Sequence, residues 1–557
     1  MENKLKIGIL IHSDAQTAWV HKMLENIIAS DYAEISLIIR KKADKVNDSG
    51  SSKLKKYYRN LWYFIYTKLD ELFFNAFPSA FELKNIGHLI KEVECITVKT
   101  KSTDFSDRFF DDDLEKIKKQ NLDVLIRLSG FKILRGGILN AAKCGIWSFH
   151  HGDSAVNRGG PAGFWEVLEK RAETGVVLQV LTEDLDGGII IDKSFSSTNV
   201  FSVNRNLNNY YWKALSMVPR NLSKLHLLGP DKFWAELNTK NINPFFYSYP
   251  LYKKPESFKM FKSMIAVFFR IYSKKISDLF WLNQWILLYG MNKNGEVSKS
   301  FYRFNKLTPP KDRFWADPFI ITKRAVTYVF IEELLYKTGK GHISVFTIDA
   351  TGKVSTPIPI IETNYHLSYP FIFQDNINFY LIPETAANKT IELYKCIDFP
   401  YKWKLEKIIM QNIDAVDTTI HYHKGKYWMF VNIKENEGAS TWDELFLFYA
   451  EELMTEKWQP HPMNPIVSDV KKARPAGKLF EYNGELYRPS QDCSGHYGRG
   501  MKIHKIIELN EYSYIEESVQ SIYPDWDKNL ISTHTINFDQ RITIIDAQRK
   551  RFKFFQY

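Results

Sequence analysis

The chain has 557 residues, of which 45% are hydrophobic and 25% are charged, a globular composition long enough for about two to four domains. Its four cysteines are spread widely with no CxxC spacing, which supports neither a disulfide framework nor a zinc site, so we expect reduced thiols and no metal. The net charge of +11 is concentrated in residues 53–59 and 253–275. Nucleic acid, anionic lipid or a nucleotide-linked substrate could meet such charge, but solvated helix faces are the safer interpretation.

The N-terminal segment predicts the beginning of a parallel α/β sheet. Residues 5–11, 18–29 and 35–39 follow the pattern strand, helix, strand of a βαβ unit. No apolar stretch with a small-residue cleavage site precedes the first strand, so we expect a cytoplasmic protein. No GxGxxG follows that strand, so nicotinamide binding is unsupported.

The next segments extend this α/β pattern. Residues 41–81 turn basic, then aromatic, and predict an insertion with an amphipathic helix that packs on the core or docks on a membrane surface or a partner. Residues 121–129 predict a buried strand, residues 134–142 a helix, and residues 207–227 a helix that closes the domain.

The stretch between these helices, residues 146–191, is where we place the chemistry. Strand ends and their loops are where ligands meet open α/β sheets. The pattern predicts, in order, a strand Trp147–Phe149, a glycine-rich loop His151–Gly160, a helix Ala162–Arg171 opened by Pro161, a strand Gly175–Leu181, a turn Glu183–Gly188 and a strand Ile189–Ile191.

His150 and Asp186 are candidates for a proton-handling pair at this edge. The carboxylate can orient the imidazole and raise its basicity, and the imidazole can take a proton from an attacking amine. Alternatively, the histidine satisfies a buried polar group and the aspartate caps its turn. The candidate loop residues are His151, Gly152, Asp153, Asn157, Arg158 and Gly159.

Residues 5–230 resemble the formyltransferase family, which uses formyl-tetrahydrofolate. The resemblance rests on Arg158-Gly159, on Thr174-Gly175-Val176 and on the turn with Asp186. It implies a Rossmann-like α/β fold with His150 as general base and Asp186 as its orienter. The family asparagine that supports the oxyanion is Ser148 here, and the family Ser-Leu-Leu-Pro is replaced by residues 152–155.

Residues 246–284 predict a helical linker, and its apolar runs are shorter than the ~20 residues that span a bilayer, so peripheral membrane contact is left open. From residue 285 onward, short aromatic and β-branched strands alternate with Gly, Asn and Asp turns. Similar segments recur at intervals of 52, 48, 57 and 60 residues, anchored at Asp317, Tyr369, Asp417, Arg474 and His534. A period near 50 with paired strands predicts an all-β five-bladed propeller over residues 285–557.

This half resembles the five-bladed propellers of furanosidase-type glycosidases, and more closely the propeller region of glucosamine inositolphosphorylceramide transferases. The resemblance rests on motifs such as Trp315-Ala316-Asp317-Pro318 and Arg474-Pro475-Ala476-Gly477. It implies a shared axial pocket in which carboxylates process a glycosidic bond or bind sugar hydroxyls, while cations grip a phosphate or carboxylate. Closure of blades by turn hydrogen bonds is the alternative for some of these residues. The expected pocket residues are Trp315, Asp317, Tyr369, Glu384, Asp417, Arg474, Asp492 and His534.

The two resemblances together predict a formyltransferase-like domain over residues 1–245, a linker over 246–284 and a propeller over 285–557. We therefore expect an N-formyltransferase that moves a formyl group from formyl-tetrahydrofolate to the amine of an amino sugar carried by a nucleotide, with a propeller that binds or processes a glycan. One alternative is a degenerate formyltransferase domain whose propeller binds or processes a glycan or glycolipid headgroup. Another is a methionyl-tRNA formyltransferase, although we expect no nucleic-acid partner because the propeller stands where tRNA-acting members carry a small β-barrel.

Overall fold

The computed structural model of the protein describes residues 4–42, 58–184, 187–243, 246–293 and 296–553. Asp186 and part of the predicted 41–81 insertion lie outside these ranges. The chain divides into two compact units, which are described separately: residues 1–270 with 436–439, and residues 271–435 with 440–557. Within the described ranges, no helix is both long enough and apolar enough to cross a membrane.

The N-terminal unit is built on a mainly parallel sheet. Its strands are β1 Leu5–Ile11, β2 Ala15–Thr17, β3 Ala33–Lys41, β4 Leu83–Asn85, β5 Glu94–Val98, β6 Thr100–Ser102, β7 Ser106–Phe109, β8 Val124–Arg127, β9 Ile133–Arg135, β10 Ile146–His150, β11 Glu173–Val180 and β12 Ile189–Ser197. Its helices are α1 Ala18–Ile28, α2 Leu61–Phe73, α3 Asp111–Lys118, α4 Phe164–Leu168, α5 Val203–Ala214, α6 Met217–Lys240 and the first part of α7 Ser257–Phe280.

Seven of these strands form the main sheet, in the order β12-β11-β10-β8-β1-β3-β5, while β2 with β4, and β6 with β7 and β9, form two small sheets. Strands β10, β8, β1, β3 and β5 run parallel, whereas β11 and β12 are antiparallel additions at one edge. The predicted strand, helix, strand opening is confirmed by β1, α1 and β3. On β8, Val124 and Ile126 enter one hydrophobic cluster while Leu125 enters another, so the sheet is buried on both faces.

Three predicted helices differ from the structure. Residues 134–142 form strand β9 and a 3₁₀ turn, Gly136–Asn140, because Gly136 adopts a φ of 78° that an α-helix does not allow. The predicted helix 162–171 shortens to α4, since Gly163 before it has a φ of 59° and Lys170 after it a φ of 55°. The predicted helix 207–227 is two helices, α5 and α6, and α6 is itself interrupted at Gly229.

The C-terminal unit consists of antiparallel strands after the end of α7. The strands are β13 Trp281–Met291, β14 Asn305–Leu307, β15 Arg313–Lys323, β16 Val326–Leu335, β17 Lys340–Ile348, β18 Ile358–Ile361, β19 Ser368–Asp375, β20 Asn378–Thr385, β21 Thr390–Asp398, β22 Lys402–Gln411, β23 Ala415–His423, β24 Lys426–Ile433, β25 Glu444–Ala450, β26 Gln459–Pro460, β27 Val467–Ser468, β28 Phe480–Tyr482, β29 Glu485–Asp492, β30 Gly500–Leu509, β31 Tyr514–Ile522, β32 Leu530–Ser532, β33 Ile536–Phe538 and β34 Ile542–Phe552.

These strands form five antiparallel sheets within the described part of the unit. Four sheets follow one another along the chain, beginning with β15, β19, β23 and β28. The fifth sheet joins the two ends of the unit, because β13 pairs with β34 from Trp281–Phe552 to Met291–Ile542. This pairing of first and last strands ties the ends of the unit together without a covalent link.

Candidate functional sites

A small pocket in the N-terminal unit lies where β8 and β10 end. It has a volume of about 120 Å³, and its polar lining includes Arg127, Ser148, His150, Gln179 and Asp184. The Nη1 of Arg127 donates to the Ser148 hydroxyl at 3.1 Å. The Nε2 of His150 lies 2.8 Å from the backbone oxygen of Asn157, so this nitrogen carries the proton in that bond. The other ring nitrogen is then the basic one.

The predicted loop residues are mostly engaged in local structure. His151 is stacked on Tyr211 with ring centroids 4.0 Å apart, and burial lowers its pKa to about 3, so it stays neutral and uncharged at physiological pH. Asp153 pairs with Lys193 at 2.7 Å. These contacts give His151 and Asp153 structural roles.

The remaining loop residues also have structural roles. The Asn157 amide donates to Glu166 at 2.8 Å, and the Arg158 guanidinium donates to the Ser154 oxygen at 3.0 Å. A Cβ on Gly159 would lie 2.2 Å from a backbone oxygen, and one on Gly152 would lie 3.3 Å from His150 Nε2. Together these contacts hold the loop in one conformation beside His150.

The C-terminal unit gathers buried charged groups from different sheets, which we call the central cluster. Three of its residues, Asp317, Tyr369 and Asp417, occupy equivalent bulges in β15, β19 and β23, where the pairing register shifts. Their φ angles are 50°, 41° and 54°, a left-handed conformation that non-glycine residues rarely adopt. Because the same conformation recurs at three equivalent positions, we infer that the bulges fix the orientation of these three side chains. The central cluster comprises Asp317, Glu332, Tyr369, Glu384, Asp417, Arg474, His534 and Asp546.

Hydrogen bonds and ion pairs join these groups. Arg474 donates to both carboxylate oxygens of Asp417, at 2.6 and 3.1 Å, and to Glu384 at 3.3 Å. His534 Nδ1 lies 2.6 Å from Asp546, and its Nε2 lies 3.7 Å from Asp317. The sequence-predicted residues therefore lie in two bonded groups, which Tyr369 and Thr419 connect into one network.

Tyr369 lies inside this network and not at its surface. Its hydroxyl accepts a hydrogen bond from the Gly477 backbone N–H at 2.9 Å and lies 3.0 Å from the Thr419 hydroxyl. Its backbone N–H donates to Asp317 at 3.3 Å. Tyr369 thus links three sheets, which is a structural role.

Two predicted pocket residues are placed elsewhere. The Trp315 indole N–H donates to Glu333 at 3.1 Å, and its ring is stacked with Phe346. Asp492 accepts from Ser494 at 2.6 Å and from Tyr523 at 2.9 Å. The expectation that these two side chains face the shared pocket is therefore not supported by their contacts.

Burial changes the protonation of the cluster. It raises the pKa of Asp317 to about 6, although His534 opposes the shift, and the pKa of Glu384 to about 8, where Asp417 adds to it. Burial, with the neighbouring carboxylates, raises the pKa of Glu332 well above its usual value. Burial alone would lower the pKa of His534, but Asp546 and Asp317 outweigh it and raise that pKa. Burial therefore favours the protonated forms of Glu332 and Glu384, whereas the two aspartates favour the charged form of His534.

Aromatic rings border the cluster. Tyr497 lies over the Arg474 guanidinium at 5.0 Å and edge-on to His534 at 5.2 Å. Trp285 is stacked on His534 at 4.0 Å, and Trp442 lies 5.6 Å from Tyr497. Tyr497, Trp442 and Glu384 are partly exposed, whereas Asp317 and Asp417 are buried. The cluster thus reaches solvent beside these three side chains.

A metal could also be held here in principle. Asp317, His534 and Asp546 offer ligand atoms within 4.8 Å of one another. However, the imidazole of His534 already bonds to Asp546, and Thr535 donates to Asp317 at 2.7 Å. We therefore assign these three residues to a charge-paired triad.

Sequence reasoning missed several of these residues. Glu332 follows an apolar run in strand β16 and Asp546 follows one in strand β34, and an acid after such a run is the only signal. Arg127 at the end of apolar β8 is a similar case. Tyr497 stands in a loop and carries no such signal.

Comparison with known proteins supports the second of the two resemblances. The sequence model described as "Glucosamine inositolphosphorylceramide transferase 1, N-terminal" matches residues 305–548. The transferase of that name from Arabidopsis thaliana is 34% identical over 209 residues, which cover 37% of this chain and 27% of the relative. The chain thus spans about a quarter of the length of this relative.

Support for the first resemblance is weaker. A methionyl-tRNA formyltransferase from Prochlorococcus marinus is 33% identical over 76 residues, which cover 14% of this chain and 22% of the relative.

A furanosidase is found among the similar solved structures. The catalytic domain of the Coprinopsis cinerea GH62 α-L-arabinofuranosidase matches with a TM-score of 0.31 and 10% identity, covering 47% of this chain and 97% of that domain.

These findings correct the functional prediction. The stronger relatives are inositolphosphorylceramide transferases by name, and the formyltransferase match is short. The expectation of an amino-sugar N-formyltransferase is therefore wrong, as are the folate-dependent enzyme class and the formyl-tetrahydrofolate cofactor. The physical reason is that residues typical of the family, such as Arg158 and Gly159, hold the loop conformation here, and a structural motif of this kind does not specify the transferred group.

Proposed function

We propose that the five sheets of the C-terminal unit form a five-bladed propeller and that its central cluster binds the glucosamine-bearing headgroup of an inositolphosphoryl glycolipid. The observation that carries this proposal is the acidic excess of a buried cluster that opens beside aromatic rings. The names of the relatives supply the chemical class, glucosamine joined to an inositolphosphoryl lipid. The short span of the match leaves the transfer reaction itself outside the proposal.

The charge balance favours a cationic ligand. Even when Glu332 and Glu384 are left out of the count, the carboxyl groups of Asp317, Asp417 and Asp546 outnumber the two basic groups, Arg474 and His534. A buried unbalanced carboxylate is unfavourable. The ammonium group of glucosamine would restore the balance, whereas an N-acetylated sugar would not.

The aromatic border favours a sugar ring. Sugar-binding sites combine carboxylates, which accept hydrogen bonds from hydroxyls, with flat apolar faces. Tyr497 and Trp442 are the partly exposed rings at the opening of the cluster. These two rings would pack against the apolar face of the glucosamine ring, while Glu384 would form hydrogen bonds with its polar edge.

Proton release gives a direct test. An ammonium group near Glu384 would lower a pKa that stands at about 8, so binding near pH 7 should expel a proton from this carboxyl. Calorimetric titration of the full chain with glucosaminyl-inositol phosphate should therefore give a binding enthalpy that changes with the ionisation enthalpy of the buffer.

Two variants test whether Glu384 is the group that releases the proton. Glu384→Gln should remove the buffer dependence and weaken binding, whereas the exposed Glu362→Gln on the same unit should change neither. Equal binding of the N-acetylated headgroup, or buffer dependence that persists in Glu384→Gln, would contradict the proposal.

Cleavage or transfer of a glycosidic bond at the same cluster is a second candidate function. It is favoured by one observation, a difference between two neighbouring carboxyl groups. Glu384 holds its proton at pH 7, whereas the carboxylate of Asp417 is paired with Arg474. Glycosidic chemistry needs such a pair, one acid and one carboxylate. Turnover of aryl glucosaminides that falls as pH rises through about 8, and that is lost in Glu384→Gln, would support it.

A further inference from the structure

We propose that His421, His423 and Glu481 form a three-ligand site for Zn²⁺ in the C-terminal unit, separate from the central cluster. One ring nitrogen from each histidine and one carboxylate oxygen lie within 4.8 Å of one another. The site was not expected from the cysteine pattern, and it lies beyond the sugar-binding proposal.

The strand geometry explains why these side chains meet. His421 and His423 are two residues apart on β23, so their side chains project from the same face, and their rings are nearly parallel with centroids 6.1 Å apart. Glu481 stands at the centre of β28, the first strand of another sheet. Three ligands from two sheets thus converge on one point.

The second observation is that one of these polar atoms is buried without a partner. The Nε2 of His421 has no hydrogen-bond partner among the described residues. His423 is half-buried and Glu481 is exposed, and the two attract each other electrostatically. A buried polar atom normally finds a partner, so a cation at this point would satisfy the unpaired nitrogen of His421.

The ligand set selects the metal. Two imidazoles and one carboxylate suit Zn²⁺, whose bonds to nitrogen and oxygen are about 2.0–2.2 Å, so tetrahedral ligand atoms stand about 3.4 Å apart. Atoms within 4.8 Å reach that spacing by small side-chain rotations, and Glu481 is exposed and able to rotate. Three protein ligands leave a fourth position open, as in sites where zinc binds water or a ligand.

His421 also lines a cavity of about 270 Å³ whose polar lining includes Asp375, Tyr427 and Lys478. His423 and Glu481 are not among the lining residues, and the Lys478 ammonium donates to the Ile320 backbone oxygen at 3.1 Å. The inference is therefore confined to the metal site itself.

The test is zinc binding by the full chain after removal of any affinity tag. Equilibrium dialysis should find one tightly bound Zn²⁺ per chain, and Co²⁺ in its place should give the visible absorption of tetrahedral cobalt. His423→Ala and Glu481→Gln should each weaken binding at least about tenfold and change the cobalt spectrum. Glu485→Gln, an exposed residue in the same hairpin, is the matched control and should leave both unchanged.

His421→Ala changes the more buried of the two histidines. Its zinc binding is therefore interpreted only if the circular dichroism spectrum of the variant shows the native fold. Absence of tight zinc binding to the wild-type chain would overturn the proposal. Tight binding that is unaffected by His423→Ala and Glu481→Gln would overturn it equally, since it would place the metal elsewhere, for example at Asp317, His534 and Asp546.

Discussion

Replacing Arg474 by methionine should destabilise the C-terminal unit in a pH-dependent way. The guanidinium is 6% exposed and donates to Asp417 and Glu384. Its removal leaves the carboxylate of Asp417, itself 2% exposed, without a cation. Loss of one partner of a buried ion pair costs about 3–5 kcal/mol, so the free energy of unfolding should fall by that amount near pH 7.

The pH dependence follows from the same contact. Without Arg474, the buried carboxyl of Asp417 has no cation to stabilise its charged form, so folding of the variant is favoured when this carboxyl carries a proton. Protonation becomes less complete as the pH rises, and the stability of the variant falls with it. The difference in stability between Arg474→Met and the wild type should therefore be smaller near pH 5 than near pH 7.

Urea unfolding of the full chain at both pH values measures this difference. Lys434→Met is the matched control, because Lys434 and Asp414 form a more exposed pair with 3.7 Å between Nζ and Oδ2. Its loss should cost less than about 1 kcal/mol at either pH. A loss below about 1 kcal/mol for Arg474→Met, or one of equal size at both pH values, would refute the buried-pair account of the central cluster.

Three further predictions concern other parts of the chain. His151→Ala should lower the stability of the N-terminal unit by about 2–5 kcal/mol, because its ring is buried against Tyr211, and thermal unfolding that matches the wild type would contradict this. Gly159→Ala should displace the backbone at Tyr252, because the new Cβ would lie 2.2 Å from the Tyr252 backbone oxygen. Limited proteolysis near residue 252 should therefore be faster than in the wild type, and an unchanged cleavage rate would contradict this. The raised pKa of His534 gives stability that is present below the unfolded pKa of about 6.5 and is lost as pH rises through the folded pKa. His534→Gln should therefore flatten the fall in unfolding free energy above about pH 6.5, and an equally steep fall would argue against the aspartate pairing.

The regular parts of the fold were predictable because they depend on local periodicity. The alternation of β1, α1 and β3, and the recurrence of segments around Asp317 and Asp417, are visible in the sequence, and the structure has sheets at those places. The helix after Pro161 was overestimated because the left-handed conformation of Gly163 depends on its tertiary contacts, not on composition.

The candidate sites were predictable only in part. Turn-associated polar residues such as Glu384 and Arg474 attract attention because proline and glycine stand beside them, whereas Asp546 sits in an apolar strand that looks purely structural. The spacing of His421 and His423 on one strand face is visible, but Glu481 is about 60 residues away and only the fold brings it near. Trp315 was misplaced because its Glu333 partner lies across a strand pair that spacing cannot show.

The most direct test of the sugar-binding proposal is a crystal structure of the full chain with glucosaminyl-inositol phosphate. We expect density for the glucosamine ring against Tyr497, with its ammonium group within hydrogen-bond distance of Glu384 or Asp417. Density for the headgroup in the pocket beside His150, or no density at the central cluster at ligand concentrations that saturate the calorimetric titration, would contradict the proposal.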